Sequence, residues 1–270
     1  MRAYIKGEMK GEMKGEVERA MASCITYFKY GLFVLSFLAF MVSCNKENAW
    51  DCVKTTGEDV ELVRELTGVQ ALNIKDDFII QLVQDSVEYV RLKGGKNVLP
   101  KVGTTVTEGV LYIENNNHCN PVRSFKRNIV LEIHLTNLKK IYTEGVGEIS
   151  SADTLYFPAL ELEVYNAIGT VQLLLNNESF SAKIHTGAVD LILAGKSANL
   201  YIYNAGLGYL FCKNLIVPYV HLNHNSTGDA EVHAGAALNL ENDGIGSVFY
   251  YGNPPVLTVS NPNKENYQKK

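Results

Sequence analysis

The residues best able to do chemistry are five cysteines, Cys24, Cys44, Cys52, Cys119 and Cys212, and six histidines, His118, His134, His185, His221, His224 and His233. In "MVSCNKENAWDC", residues 41–52, Cys44 and Cys52 stand eight positions apart, a spacing open to a metal clip, a disulfide or two separate roles. Zinc binding calls for CxxC or HxxxH companions, and the chain offers neither. His221 and His224 are three apart, so a strand would point them to opposite faces. Asp190, Asp229 and Asp243 would suggest a calcium-binding or lyase-type acidic row, but they sit at three different offsets from their glycines and are expected not to align. No GxSxG surrounds a serine, and Gly94-Gly95 lacks the Walker pattern and reads as a turn closing a strand. No catalytic residue, metal site or cofactor is read from the sequence.

The N-terminus sets the compartment. "YIKGEMKGEMKGEVERAM" is a repeated charged stretch without apolar periodicity and reads as disordered. "GLFVLSFLAFMV", residues 31–42, follows Lys29 and holds one Ser and no charge. It is shorter than the ~20 residues of a spanning helix and suits the apolar core of a signal peptide, for which Met21 is a more natural start than Met1. Its end, Met41-Val42-Ser43-Cys44, resembles a bacterial lipobox, with Met41 in place of the more usual Leu. The resemblance implies that Cys44 is lipidated through its sulfur, becomes the first residue and anchors the protein in a membrane, the expected one being the outer membrane of a cell envelope. Export leads to an oxidising compartment. Cys52 lies in a polar stretch and Cys119 in the turn-rich "NNNHCNP", so these two are expected to form a disulfide. Cys212 falls on the apolar side of a strand, as a small buried hydrophobe.

The chain has 270 residues, 46% of them hydrophobic, with a mean hydropathy of −0.04, which is ordinary for a folded globular protein with a sizeable core. Residues 1–44 carry 6 of the 25 Lys and Arg and 4 of the 29 Asp and Glu; without them the charge moves from −4 to −6. That balance argues against nucleic acid as a partner.

From Val63 onward short alternating strands dominate, as in "DFIIQLVQD", "VEYVRLKG" and "IVLEIHLT". From residue 140 the pattern repeats. "TEGVGEISSA", "YNAIGTVQLL", "IHTGAVDLIL", "NAGLGYLFCK", "NSTGDAEVHA" and "NDGIGSVFYY" align on Gly147, Gly169, Gly187, Gly208, Gly228 and Gly246, at intervals of 22, 18, 21, 20 and 18 residues. Two positions after each glycine the residue is apolar: Ile149, Val171, Val189, Leu210, Ala230 and Val248. A second alternating run precedes each glycine, so each unit reads as strand, glycine corner, strand and return. A helix-free period near 20 residues indicates a β-solenoid whose coils bury their inner faces on one another, with small corner residues permitting close stacking.

"EGVGEI", "NAIGTV", "NDGIGSVFYYGNPP" and "GGKNVLPKVGTTVTEGVLYIEN" together resemble the auto-transporter adhesin head GIN domain family, over roughly residues 66–257. The resemblance implies an all-β, right-handed parallel β-helix-like solenoid and suggests adhesion; it brings no catalytic residue. The expected organisation is a charged prefix and signal peptide over 1–44, a polar tether over 45–62, the solenoid domain over 63–260 and a flexible tail over 261–270.

Aromatics recur at coil positions: Tyr201, Tyr203, Tyr209, Phe211, Phe249, Tyr250 and Tyr251. Phe211 and Phe249 take the outward slot of the alternation, where exposed rings could stack on sugars or dock a protein. The function expected is a non-catalytic, lipid-anchored envelope protein that binds glycans, matrix or envelope proteins. Competing readings are a passive envelope spacer and a carbohydrate-active β-helix enzyme.

Overall fold

The structure is a computed structural model that describes residues 55–117, 129–260 and 266–270. The strands are β1 (Asp59–Glu65), β2 (Ala71–Ile74), β3 (Asp77–Gln84), β4 (Tyr89–Gly95), β5 (Val102–Thr107), β6 (Val110–Asn115), β7 (Val130–Leu135), β8 (Lys140–Thr143) and β9 (Val146–Ser151). They continue with β10 (Ala159–Val164), β11 (Ala167–Ile184), β12 (Gly187–Asn204), β13 (Leu210–His224), β14 (Ala230–Asn242), β15 (Val248–Tyr251), β16 (Val256–Val259) and β17 (Tyr267–Lys269). The only helical element among the described residues is a 3-10 turn at Leu99–Lys101.

The chain winds into an all-β solenoid of about 6 turns, with parallel pairing roughly 20 residues apart. β11 and β12 run 18 residues each because they wrap round the corner opposite the glycines without leaving the ladder. Their pairing is continuous from Ala167↔Gly187 to Ile184↔Asn204. Alternate residues point inward. Leu162 and Val164, then Phe180 and Ile184, then Leu200 and Ile202 line one inner face, while Val171, Leu173, Val189, Leu191 and Leu193 line the other, all of them in one buried cluster.

The spatial order at the N-terminal end differs from the order along the chain. β2 pairs with both β6 and β8, and β3 with both β7 and β9, so the first coil in sequence lies between two later ones. Beyond β6 and β7 the stack is closed by antiparallel strands: β5 on β6, β4 on β7, and β1 on β4. β1 begins at Asp59, inside the stretch expected to be tether. It is fixed because Arg64 donates from its guanidinium to Val102 O and Thr104 Oγ1, both at 2.6 Å.

The expected flexible tail also holds a strand. β17 pairs with β15 from Val248↔Tyr267. Tyr267 packs against the open end of the core, and Asn266 donates to the carbonyls of Gly244 and Gly246, both at 3.2 Å.

Candidate functional site

The corner glycines are needed for close approach. A Cβ built on Gly169, whose φ is +139°, would lie 1.8 Å from the Gly147 carbonyl oxygen of the neighbouring coil. The register of the corners corrects the sequence alignment at one place. Gly187 pairs with Ala167, and Val189 pairs with Gly169, so Gly187 is two residues out of the column of the other corner glycines. An even slip preserves which side chains point inward, and Val189 and Leu191 are buried as the alternation requires.

The same slip overturns the expectation for the acidic residues. Asp190 and Asp229 share one column, with Tyr209 on the rung between them. Each caps the next rung: Asp190 Oδ1 accepts the Tyr209 amide at 2.9 Å, and Asp229 Oδ1 accepts the Ser247 amide at 2.8 Å. His224 is fully buried and its Nε2 donates to Gly228 O at 2.8 Å, whereas His221 faces outward beside Tyr201, as their spacing requires. Among the described residues no group of three or more His, Cys, Asp or Glu could hold a metal ion.

Phe211 and Phe249 both face outward, but not side by side. Phe211 pairs with Glu231, and Glu231 pairs with Phe249, so one rung lies between the two rings. At the ~4.8 Å strand spacing their backbones are about 10 Å apart. Between them lies a concavity of about 230 Å³ lined by Tyr209, Leu210, Phe211, Asp229, Glu231 and Phe249. Tyr209 stacks on Phe211, with centroids 5.9 Å apart and planes at 17°, and thickens that wall. Glu231 is pinned by Lys213 Nζ at 3.0 Å and by the Tyr251 hydroxyl at 3.1 Å. Lys270 Nζ lies 4.7 Å from the centre of the Phe249 ring, a cation–π contact that braces the other wall.

The opposite outer face carries a ladder that glycine spacing does not reveal. Tyr142, Tyr165, His185 and Tyr203 follow one another across successive coils with centroid distances of 5.7, 4.2 and 5.6 Å. Lys140 pairs with Glu163, and Lys183 with Glu161 at 2.8 Å, along its flank. Glu144, hydrogen-bonded to the Tyr142 hydroxyl, pushes that phenol up to about 12. Tyr165 and His185 are neighbours in register just past β10 and β11, while Tyr142 and Tyr203 stand two residues back in another column, so a count from the glycines does not bring the four together.

A third cluster sits in the N-terminal cap. His134 places Nδ1 at 2.8 Å from Asp85 Oδ2 and Nε2 at 2.8 Å from Glu132 Oε1, and Tyr89 stacks on its ring at 3.9 Å. Arg91 and Lys93 hold Glu132 from the adjacent strand. Both imidazole nitrogens are engaged, so this histidine is built in as a structural tie. Cys212 is buried on the inner side of β13, and desolvation pushes its thiol well above the ordinary range. Cys44, Cys52 and Cys119 lie outside the described residues.

Comparison with known proteins then places the chain. The family described as "Putative auto-transporter adhesin, head GIN domain" matches residues 69–254. The chain belongs to this family. Several solved structures share its fold at low identity. A "putative adhesin" from Bacteroides fragilis superposes with a TM-score of 0.71 at 17% identity, covering 80% of this chain and 96% of that one. A second "putative adhesin", from Parabacteroides distasonis, gives 0.60 at 16%, with 80% and 99% covered. Another Parabacteroides distasonis structure, titled a "Putative lipid binding protein", gives 0.58 at 14%, with 80% and 100% covered. No curated protein matches the chain. The family description points to a protein of the cell surface or envelope.

Proposed function

We propose that this head GIN protein is an adhesin-like envelope lipoprotein that recognises a glycan or a matrix or envelope protein through the outer face bearing Phe211 and Phe249. The observation that carries the reading is the concavity between those two rings, with its braced walls and pinned carboxylate. It offers an apolar surface with fixed acceptors, which is the equipment of a recognition site. The acids that would be called on for catalysis are engaged structurally: Asp190 and Asp229 cap neighbouring rungs, and Glu231 is tied to Lys213. The role is accordingly binding rather than turnover.

In this reading Cys44 carries the lipid, holds the domain at the outer membrane, and Cys52 and Cys119 form a disulfide. Labelling with a fatty acid tests the anchor: the wild type takes up label and Cys44→Ala does not. Binding of the full chain to arrays of glycans, matrix proteins and envelope proteins tests the recognition role. A ligand supports it. A folded protein that binds nothing on any array favours the second reading, a passive envelope spacer, to which the self-stacked ladder of Tyr142, Tyr165, His185 and Tyr203 is equally suited.

A further inference from the structure

We infer that the concavity between Phe211 and Phe249 takes a single non-acidic pyranose ring, a neutral hexose or an N-acetylhexosamine, at a glycan terminus; this rests on the reading of that concavity as the recognition surface. The dimensions come first. One rung separates the aromatic walls, and about 230 Å³ lies between them, which is room for one sugar ring. Aromatic side chains offer an electron-rich face to the C–H face of a sugar, much as they do to a ring edge. Phe211 is thickened by Tyr209 and Phe249 is braced by Lys270, so neither wall needs to be ordered when a ligand enters.

Charge decides between ligand classes. The floor carries Asp229 and Glu231, and carboxylates accept hydrogen bonds but donate none. Asp229 has one oxygen on the Ser247 amide, and its other makes no hydrogen bond among the described residues, leaving an acceptor for a sugar hydroxyl or amide N–H. Asp190 lies in the same column, beyond Tyr209. A uronate or sialate carboxylate would meet the charge of Asp229, which makes no ion pair among the described residues, whereas Lys213 already offsets Glu231, and that repulsion costs affinity. A basic peptide is disfavoured for a different reason: Lys213 already occupies Glu231, and Lys270 already lies over Phe249, so the chain supplies its own cations. The opposite face does not compete for the sugar, because Tyr165 and His185 cover each other's ring faces.

The test is a glycan array bearing neutral hexose, N-acetylhexosamine, uronate and sialate termini, probed with the full chain and three variants whose folding is checked by circular dichroism. The wild type is expected to bind the neutral and N-acetyl termini only. Phe249→Ser weakens this by about tenfold, as loss of one aromatic contact implies, and Tyr165→Ser leaves it unchanged. Asp229→Asn admits acidic termini. If Phe249→Ser fails to fold, Phe249→Leu removes the ring while keeping an apolar wall. Binding of acidic termini alone, or loss of a protein ligand in Phe249→Ser with no sugar bound, overturns the inference and leaves the recognition surface standing. A wild type that binds nothing on glycan or protein arrays overturns both.

Discussion

Tyr165 and His185 lie on adjacent coils with ring centroids 4.2 Å apart and planes within 10° of parallel. Their faces are turned to each other along the solenoid axis, so what they offer solvent is edges. This separates the two outer faces of the molecule. One uses its aromatics to hold coils together, while the other leaves Phe211 and Phe249 apart with a concavity between them.

The stack therefore bears on stability and not on recognition. His185→Ala should lower the unfolding free energy by about 1 kcal/mol, the worth of an aromatic pair beyond its buried area. Urea unfolding measures it, and ligand affinity should not change.

At the glycine corners, space matters more than secondary-structure preference. Gly169→Ala puts a methyl where the Gly147 carbonyl already lies, at a φ that side chains avoid, and should cost about 3 kcal/mol or more. Gly68→Ala also has a positive φ but meets nothing within 4 Å, so about 1 kcal/mol is expected. Comparing the two in the same denaturation assay separates crowding from backbone strain.

Burial depresses the His224 pKa below its ordinary 6.5, because the protonated ring loses its hydration in the core. The unfolded chain takes up a proton that the folded one refuses. Stability is therefore fully present above about pH 6.5 and falls as the pH drops below it. In register with His224 stand Asn204 and Asn242, one rung to either side, so His224→Asn fits the same buried column. Melting temperatures between pH 5 and 7 should slope for the wild type and lie flatter for that variant.

A second acid-sensitive element lies in the cap. The hydrogen bond from His134, with help from Lys93 and Arg91, holds Glu132 below the usual carboxylate range, and Asp85 is lowered first by the same histidine. A depressed carboxylate contributes stability that is present above its unfolded value and is lost as the pH falls through the folded one. His134→Gln should remove most of this loss below about pH 4.5. Amide exchange in β4 and β7 would register it, with the wild-type cap opening in acid and the variant already open at neutral pH.

The solenoid was legible in the sequence because its coils repeat every 20 residues or so and alternation is parity, which survives a slip of two. Alignment on glycine misplaced Gly187 because it stands two residues earlier on its rung than the other corner glycines, opposite Ala167 rather than Gly169, and this hid the shared column of Asp190 and Asp229. The Tyr142–Tyr203 ladder was missed for the same reason. The insertion of the β2–β3 coil between later ones was out of reach, because no local pattern specifies which edge of a coil a distant segment joins. β17 was taken for tail because its polar surroundings mask Tyr267, whose apolar ring closes the end of the core.

The most direct test compares three folded proteins on the same glycan and protein arrays: the wild type, Phe211→Ser/Phe249→Ser and Tyr165→Ser/His185→Ser. The account predicts a ligand held equally by the first and third and lost by the second. Equal binding by all three, or loss only in the Tyr165 and His185 variant, would contradict it.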